Sequence, residues 1–157
     1  MTQPQEIPIT AEGLAQVRRE LEELVSVRRP EIVSKIRAAR EHGDLSENFE
    51  YHAARNEQSF IETRILELEG IVKNHVIIES RASNGRVDLL STVTFAEEGE
   101  PEETYRIVGP TEADPAAGRI SFESAIGKAL MGHRVGDEVE VLAPAGRPYN
   151  VRIVKIE

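Results

Sequence analysis

Between residue 10 and about residue 75, apolar side chains recur at intervals of three and four. Leu14, Val17, Leu21 and Leu24 step by 3, 4 and 3, and Ile32, Ile36 and Ala39 continue the stripe after a shift of phase. Ala54, Gln58, Ile61, Ile65, Leu68 and Val72 then step alternately by 4 and 3. This spacing places the side chains along one narrow face of a helix, and both stripes are flanked by charge, as in a coiled-coil seam. The only breakers in the stretch are Gly13, Gly43, Gly70 and Pro30, so two long helical arms are predicted. Pro30 lies inside the first arm, where the missing N–H predicts a local bend.

Between the arms, Arg40-Glu41-His42-Gly43-Asp44-Leu45-Ser46-Glu47-Asn48 carries a glycine suited to a helix C-terminal cap. Asp44, Ser46 or Asn48 then suits the N-cap of the next helix. Two arms of about 30 residues at 1.5 Å rise make an antiparallel hairpin roughly 45 Å long, whose tip is expected to project from the rest of the molecule.

From about residue 76 the period changes. Short β-type runs at 76–78, 91–95, 104–108, 119–122, 138–142 and 149–156 are separated by turn signals such as Asn84-Gly85, Gly109-Pro110 and Gly136-Asp137. Residues 124–131 read as one short helix, and the acidic stretch Glu97 to Glu103 as an exposed loop. The fold class is therefore α+β: an N-terminal antiparallel coiled-coil hairpin over residues 1–76, its acidic tip near 41–50, followed by a small antiparallel sheet domain with one helix over 77–157.

Composition narrows the chemistry. The absence of Cys excludes a disulfide framework, a thiol nucleophile, a cysteine zinc site and an iron–sulfur cluster. With 4% aromatics and no Trp, a large globule centred on aromatic rings is not expected. MTQPQEIPIT has no basic stretch followed by an apolar run, and no window approaches a membrane span, so the chain reads as a soluble cytoplasmic protein with no membrane partner. A net charge of −9, from 19 Lys+Arg against 28 Asp+Glu, argues against a generic grip on nucleic-acid phosphates. Contact with nucleic acid would have to be local or delivered by a partner.

Asp44 and Glu47, with Glu41 before and Glu50 after, put several carboxylates on the reversal. Two readings are open. The acids can serve as caps at the start of the second arm, where negative charge is favoured. Alternatively they are half of a Mg²⁺ site, since that ion takes one or two protein carboxylates and fills its octahedron with other oxygens. A second macromolecule would then complete the site and allow two-metal phosphoryl chemistry. Behind the tip the charge reverses: Arg28, Arg29, Lys35, Arg37 and Arg40, with Arg55 on the second arm, form a basic collar. Such a collar suits either a polyanion along the hairpin or a solvated face of scattered salt bridges. Tyr51 fits packing at the tip base or stacking on a nucleotide base. His42, His52, His75 and His133 show no metal-ligand spacing, and no phosphate loop or nucleophile elbow is present.

The stretch from Arg40 to Ala54, Arg-Glu-His-Gly-Asp-Leu-Ser-Glu-Asn-Phe-Glu-Tyr-His-Ala-Ala, resembles the bacterial Gre transcript-cleavage (transcription elongation) factors, most closely the GreA type. The likeness continues through Val27-Arg28-Arg29-Pro30-Glu31-Ile32, Asn84-Gly85-Arg86-Val87, Thr104 to Gly109 and Ser124 to Gly132, and so covers about Ile9 to Ile156. The resemblance implies an FKBP-like C-terminal domain that docks at the rim of the bacterial RNA polymerase secondary channel, with Ser124 and Ile126 in the docking helix. The hairpin would enter that channel as a monomer. It implies that Asp44 and Glu47 hold a Mg²⁺ shared with the polymerase, supported by Ser46, Asn48 and Tyr51, with Arg37, Arg40 and Arg55 facing the RNA. The expected activity is that of a co-catalyst rather than an enzyme: stimulation of endonucleolytic cleavage at the 3′ end of backtracked nascent RNA. A channel-binding inhibitor of the same build is the alternative. A prolyl isomerase is disfavoured, because Phe95, Tyr105, Phe122 and Tyr149 do not assemble an evident aromatic pocket. Two residues depart from the family pattern: Phe49 stands where Ala is usual, adding bulk at the tip, and Ala125 stands where Pro commonly follows Ser124.

Overall fold

The computed structural model describes residues 5–41, 43, 48–79 and 84–157. It falls into two compact units, one made of Leu14–Asn74 and the other of the chain up to Gly13 together with His75–Glu157.

In the helical unit, the first arm comprises α1 (Ala11–Glu23), a π-helical segment (Leu24–Arg28) and α2 (Arg29–Arg40), and the second is α3 (Phe49–Asn74). Thr10 starts α1, its hydroxyl accepting the Gly13 N–H at 3.0 Å. The π-helical segment is the molecule's answer to Pro30. With no N–H to donate, Pro30 cannot bond the carbonyl four residues back, and its ring would crowd it. The register widens just before it, and the Arg29 N–H bonds Leu24 O, five residues earlier. The expected local irregularity is thus a π-bulge, with Pro30 in the first turn of α2.

The arms meet along the predicted seam. Ile32, Ile36 and Ala39 of α2 and Ala54, Ile61, Ile65 and Leu68 of α3 are buried, with Leu21, Leu24 and Tyr51 packed beside them. Gln58 and Val72 are half-buried at the margin. Charged pairs lace the arms outside the seam. Arg29 holds Glu62 through two bonds of 2.8 and 2.9 Å, and Arg64 holds Glu20 through two of 2.7 and 3.1 Å. Arg28 and Lys35 both reach Glu57, at 3.1 and 3.6 Å.

The second unit holds a five-stranded sheet in the order β5-β4-β3-β7-β6, where β3 is Thr92–Glu97, β4 Glu103–Val108, β5 Arg119–Ser121, β6 Glu138–Val141 and β7 Tyr149–Ile156. The sheet is mixed rather than purely antiparallel: three of its pairings are antiparallel, while β4 and β5 run parallel, Ile107 opposite Ile120. Two 3₁₀ turns, at Pro110–Glu112 and Pro115–Ala117, carry the chain back between them. Alternate residues Val93, Phe95, Ile107, Ile120, Val139, Val141, Val151 and Ile153 enter one core, closed by Leu130 of α4 (Ala125–Leu130) and by Val87. The acidic stretch is the exposed turn of the β3–β4 hairpin, with Gly99 at φ +85° and the Glu100 N–H on Glu97 O at 3.0 Å.

Residues 76–78 were expected to open this sheet. Instead β2 (His75–Ile77) pairs in parallel with β1 (Ile7–Ile9) in a separate two-stranded ribbon. The hairpin expected over residues 1–76 is shorter at its N-terminal side, because the described chain from Gln5 to Gly13 packs with the sheet-bearing unit. Gly109 makes room for it: a Cβ there would lie 2.3 Å from Pro8 O. Glu112 completes the anchor by accepting the Thr10 N–H at 3.0 Å and bonding its hydroxyl.

Candidate functional site

Asp44, Ser46 and Glu47 lie outside the described residues, so the site is built from the chain on either side of them. Gly43, at φ +111°, follows α2 in a backbone conformation that favours glycine. On the returning side Asn48 is the N-cap that the structure uses for α3. Its side-chain oxygen accepts the Tyr51 N–H at 3.1 Å, while its amide donates to Ala39 O at 2.8 Å. One side chain therefore caps the second arm and ties it to the last turn of the first, which fixes the separation of the arms where the reversal begins.

Tyr51 packs its ring against the seam, and the Arg40 guanidinium lies 5.8 Å from the ring centre, within cation–π range. His52 meets the same ring edge-on at 5.6 Å. Phe49, the first residue of α3, is 88% exposed. The added bulk of this departure from the family pattern is thus directed into solvent.

The basic collar divides. Arg28, Arg29 and Lys35 are taken up in the ion pairs between the arms. Arg37, Arg40 and Arg55 instead line one groove of about 420 Å³ with Val33, Ile36, Glu41 and Gln58. Arg55 donates to the Gln58 side chain at 3.3 Å, which holds it along the groove wall. Three guanidiniums around a shallow groove with one carboxylate concentrate positive charge locally on a chain that is acidic overall. Sequence spacing names these residues but cannot separate them from the paired cations, because the separation depends on which acids the facing arm presents.

Among the described residues no group of three or more His, Cys, Asp and Glu is placed to hold a metal ion. The acids of the reversal offer oxygen donors only, a set that fits a hard cation such as Mg²⁺ but leaves most of its coordination to another molecule. Tyr149, in the sheet-bearing unit, titrates above the ordinary phenol range because burial, with Glu97 and Glu103 nearby, disfavours the phenolate. No helix among the described residues is long and apolar enough to cross a membrane.

The other two predicted site residues belong to the sheet-bearing unit. Ser124 caps α4, its hydroxyl accepting the Gly127 N–H at 3.1 Å and donating to Ser121 O at 2.6 Å. Ile126 packs partly buried against the sheet core. Ala125 takes the first position of α4, where Pro is also accommodated, so this departure leaves the helix intact.

Comparison with known proteins divides the chain near residue 80, with β1 and β2 on the N-terminal side. Residues 7–77 match the family model of the transcription elongation factor N-terminal domain, and residues 82–157 that of the GreA/GreB C-terminal domain. A transcription elongation factor GreA of Macrococcus caseolyticus is 52% identical over 157 residues, covering 99% of both chains. One of Staphylococcus aureus is 49% identical over 158 residues, covering 100% of both. Among solved structures, the transcription factor Gfh1 is 31% identical over 99% of both chains, with a TM-score of 0.48.

Proposed function

This chain belongs to the GreA/GreB family of transcription elongation factors, and on that premise we propose that it stimulates RNA polymerase to cleave the 3′ end of backtracked nascent RNA. It does so as a monomeric co-catalyst whose hairpin reaches the active site through the secondary channel. The observation that carries this reading is the pairing of an acid-bearing reversal with a groove in which Arg37, Arg40 and Arg55 converge. The acids suit a shared cation, and the groove suits the phosphates of the RNA strand brought beside it.

Asp44 and Glu47 would hold Mg²⁺ together with carboxylates of the polymerase. When bound, the ion supplies charge that favours ionised water as nucleophile and offsets charge on the leaving oxygen. The remaining work belongs to the protein's own residues. Asn48 sets the spacing of the two arms behind the acids, Tyr51 orients Arg40, and the three arginines hold the displaced strand by its phosphates. Ser46 supports the reversal, and Ser124 and Ile126 place α4 for docking on the polymerase.

The test is a bacterial polymerase complex stalled in a backtracked register on 5′-labelled RNA, incubated with the protein and Mg²⁺. Shortening from the 3′ side is expected, and Asp44→Asn or Glu47→Gln should abolish it while leaving polymerase binding nearly intact. Unchanged RNA with slowed nucleotide addition would replace this reading with a channel-blocking inhibitor. Loss of polymerase binding in either variant, with cleavage per bound complex preserved, would remove the acids from the chemistry.

A further inference from the structure

The second arm has a face that the hairpin does not use. At about 100° per residue, Phe49, His52, Ala53, Asn56, Phe60 and Thr63 fall within an arc of about 100°. That arc lies about 140° round the helix from the buried seam and runs for about 21 Å. All six residues are exposed, and none is Asp, Glu, Lys or Arg. In a chain that is 30% charged this is an unusual interruption, and its two rings are the most exposed large apolar side chains described: Phe49 at 88% and Phe60 at 78%. They stand eleven positions apart, three turns on the same face.

Three occupants have to be weighed. RNA is poorly matched, because its phosphates need cations and both arginines that flank the stripe are engaged elsewhere: Arg55 lines the basic groove, and Arg64 is paired with Glu20 and Glu67. A second copy of the chain is poorly matched too. Two phenylalanine rings offer at most about 500 Å², whereas a stable dimer needs about 800 Å² from each partner. A strip this small adds useful affinity only against a surface already held nearby by other contacts. It begins at Phe49, directly beside the acidic reversal. We propose that this face docks on an uncharged, apolar strip of protein in the wall of the polymerase channel, a contact that rests on the functional reading above and deepens it. The basic groove and the Phe49–Phe60 face then engage different components, RNA and protein.

The experiment measures binding of the full-length protein, fluorescently labelled, to bacterial RNA polymerase core free of RNA, and to the backtracked complex. Phe60→Ser and Phe49→Ser are expected to raise Kd about tenfold on both forms. Phe60→Leu, which keeps the apolar bulk, should stay within about twofold of the parent, as should Leu66→Ser. Leu66 is 69% exposed but lies off the stripe, and so controls for loss of any surface hydrophobe. Unchanged affinity in both Ser variants, with the parent binding normally, overturns the docking face and leaves the functional reading standing. No binding by the parent overturns the functional reading itself. A loss confined to the RNA-bearing complex would mean that the rings stack on RNA. A parent dimer in sedimentation that Phe60→Ser dissociates would assign the face to a second copy.

Discussion

Asn48 offers the sharpest test of how the reversal is held. Replacing it with Ala removes two bonds at once: the cap to the Tyr51 N–H at 3.1 Å and the cross-arm bond to Ala39 O at 2.8 Å. Loss of an N-cap costs about 1 kcal/mol. The cross-arm bond is worth about 1 kcal/mol net, the ordinary value for an intramolecular hydrogen bond. The full desolvation cost of an orphaned carbonyl does not apply, because Ala39 O also accepts the Glu41 N–H. Asn48→Ala should therefore ease opening of the hairpin end by about 2 kcal/mol, which accelerates amide exchange at Tyr51 and His52 about thirtyfold. Asn48→Ser separates the two terms, since serine keeps a capping oxygen but is too short to reach Ala39. It should recover about half of the loss, with an acceleration of about fivefold. Exchange is read by mass spectrometry or NMR on the full chain. Exchange in Asn48→Ala within about twofold of the parent would refute the clamp, and equal damage in the two variants would refute the division between cap and tie.

Two further predictions concern charge. Arg40→Ala or Arg37→Ala should lower stimulated cleavage about tenfold at low salt, with the deficit shrinking as salt screens the groove; a deficit that holds from about 50 to about 300 mM salt would remove RNA phosphate as the ligand. For pH, Arg29 bonds the Glu62 carboxylate and holds its pKa below the ordinary range, and Arg64 does the same for Glu20. Because the folded pKa is the lower one, each pair's contribution is complete above the usual carboxylate pKa and is lost as pH falls through the folded value. The melting temperature should therefore drop on acidification, and Glu62→Gln should flatten that drop; an unchanged pH profile in the variant would refute the contribution.

Much of this fold is legible because each element repeats one physical rule. Ile32, Ile36, Ile61, Ile65 and Leu68 announce the seam through helical periodicity alone. Val139, Val141, Val151 and Ile153 announce the core through alternation. The ribbon at Ile7–Ile9 is not legible in the same way. Three residues with Pro8 in the middle carry almost no strand signal, and their partner His75–Ile77 lies over sixty positions away. The parallel pairing of β4 with β5 is hidden for a related reason, since the sequence shows two strands and turn residues but not the direction in which the chain returns.

The two arms, the strand-bearing half, the acids between the arms and the identity of every cation in the collar are all written in the chain, because periodicity and residue chemistry are local properties. What those residues do together follows from packing in three dimensions. Facing acids on the opposite arm withdraw Arg28, Arg29 and Lys35 into ion pairs, which leaves Arg37, Arg40 and Arg55 to line a groove. Asn48 becomes the tie because Ala39 O lies within 2.8 Å of its amide. Phe49 and Phe60 stay in solvent because the seam is already filled from the other side of the helix. Each outcome depends on which side chains meet across space, and that is set by packing between elements rather than by spacing along the chain.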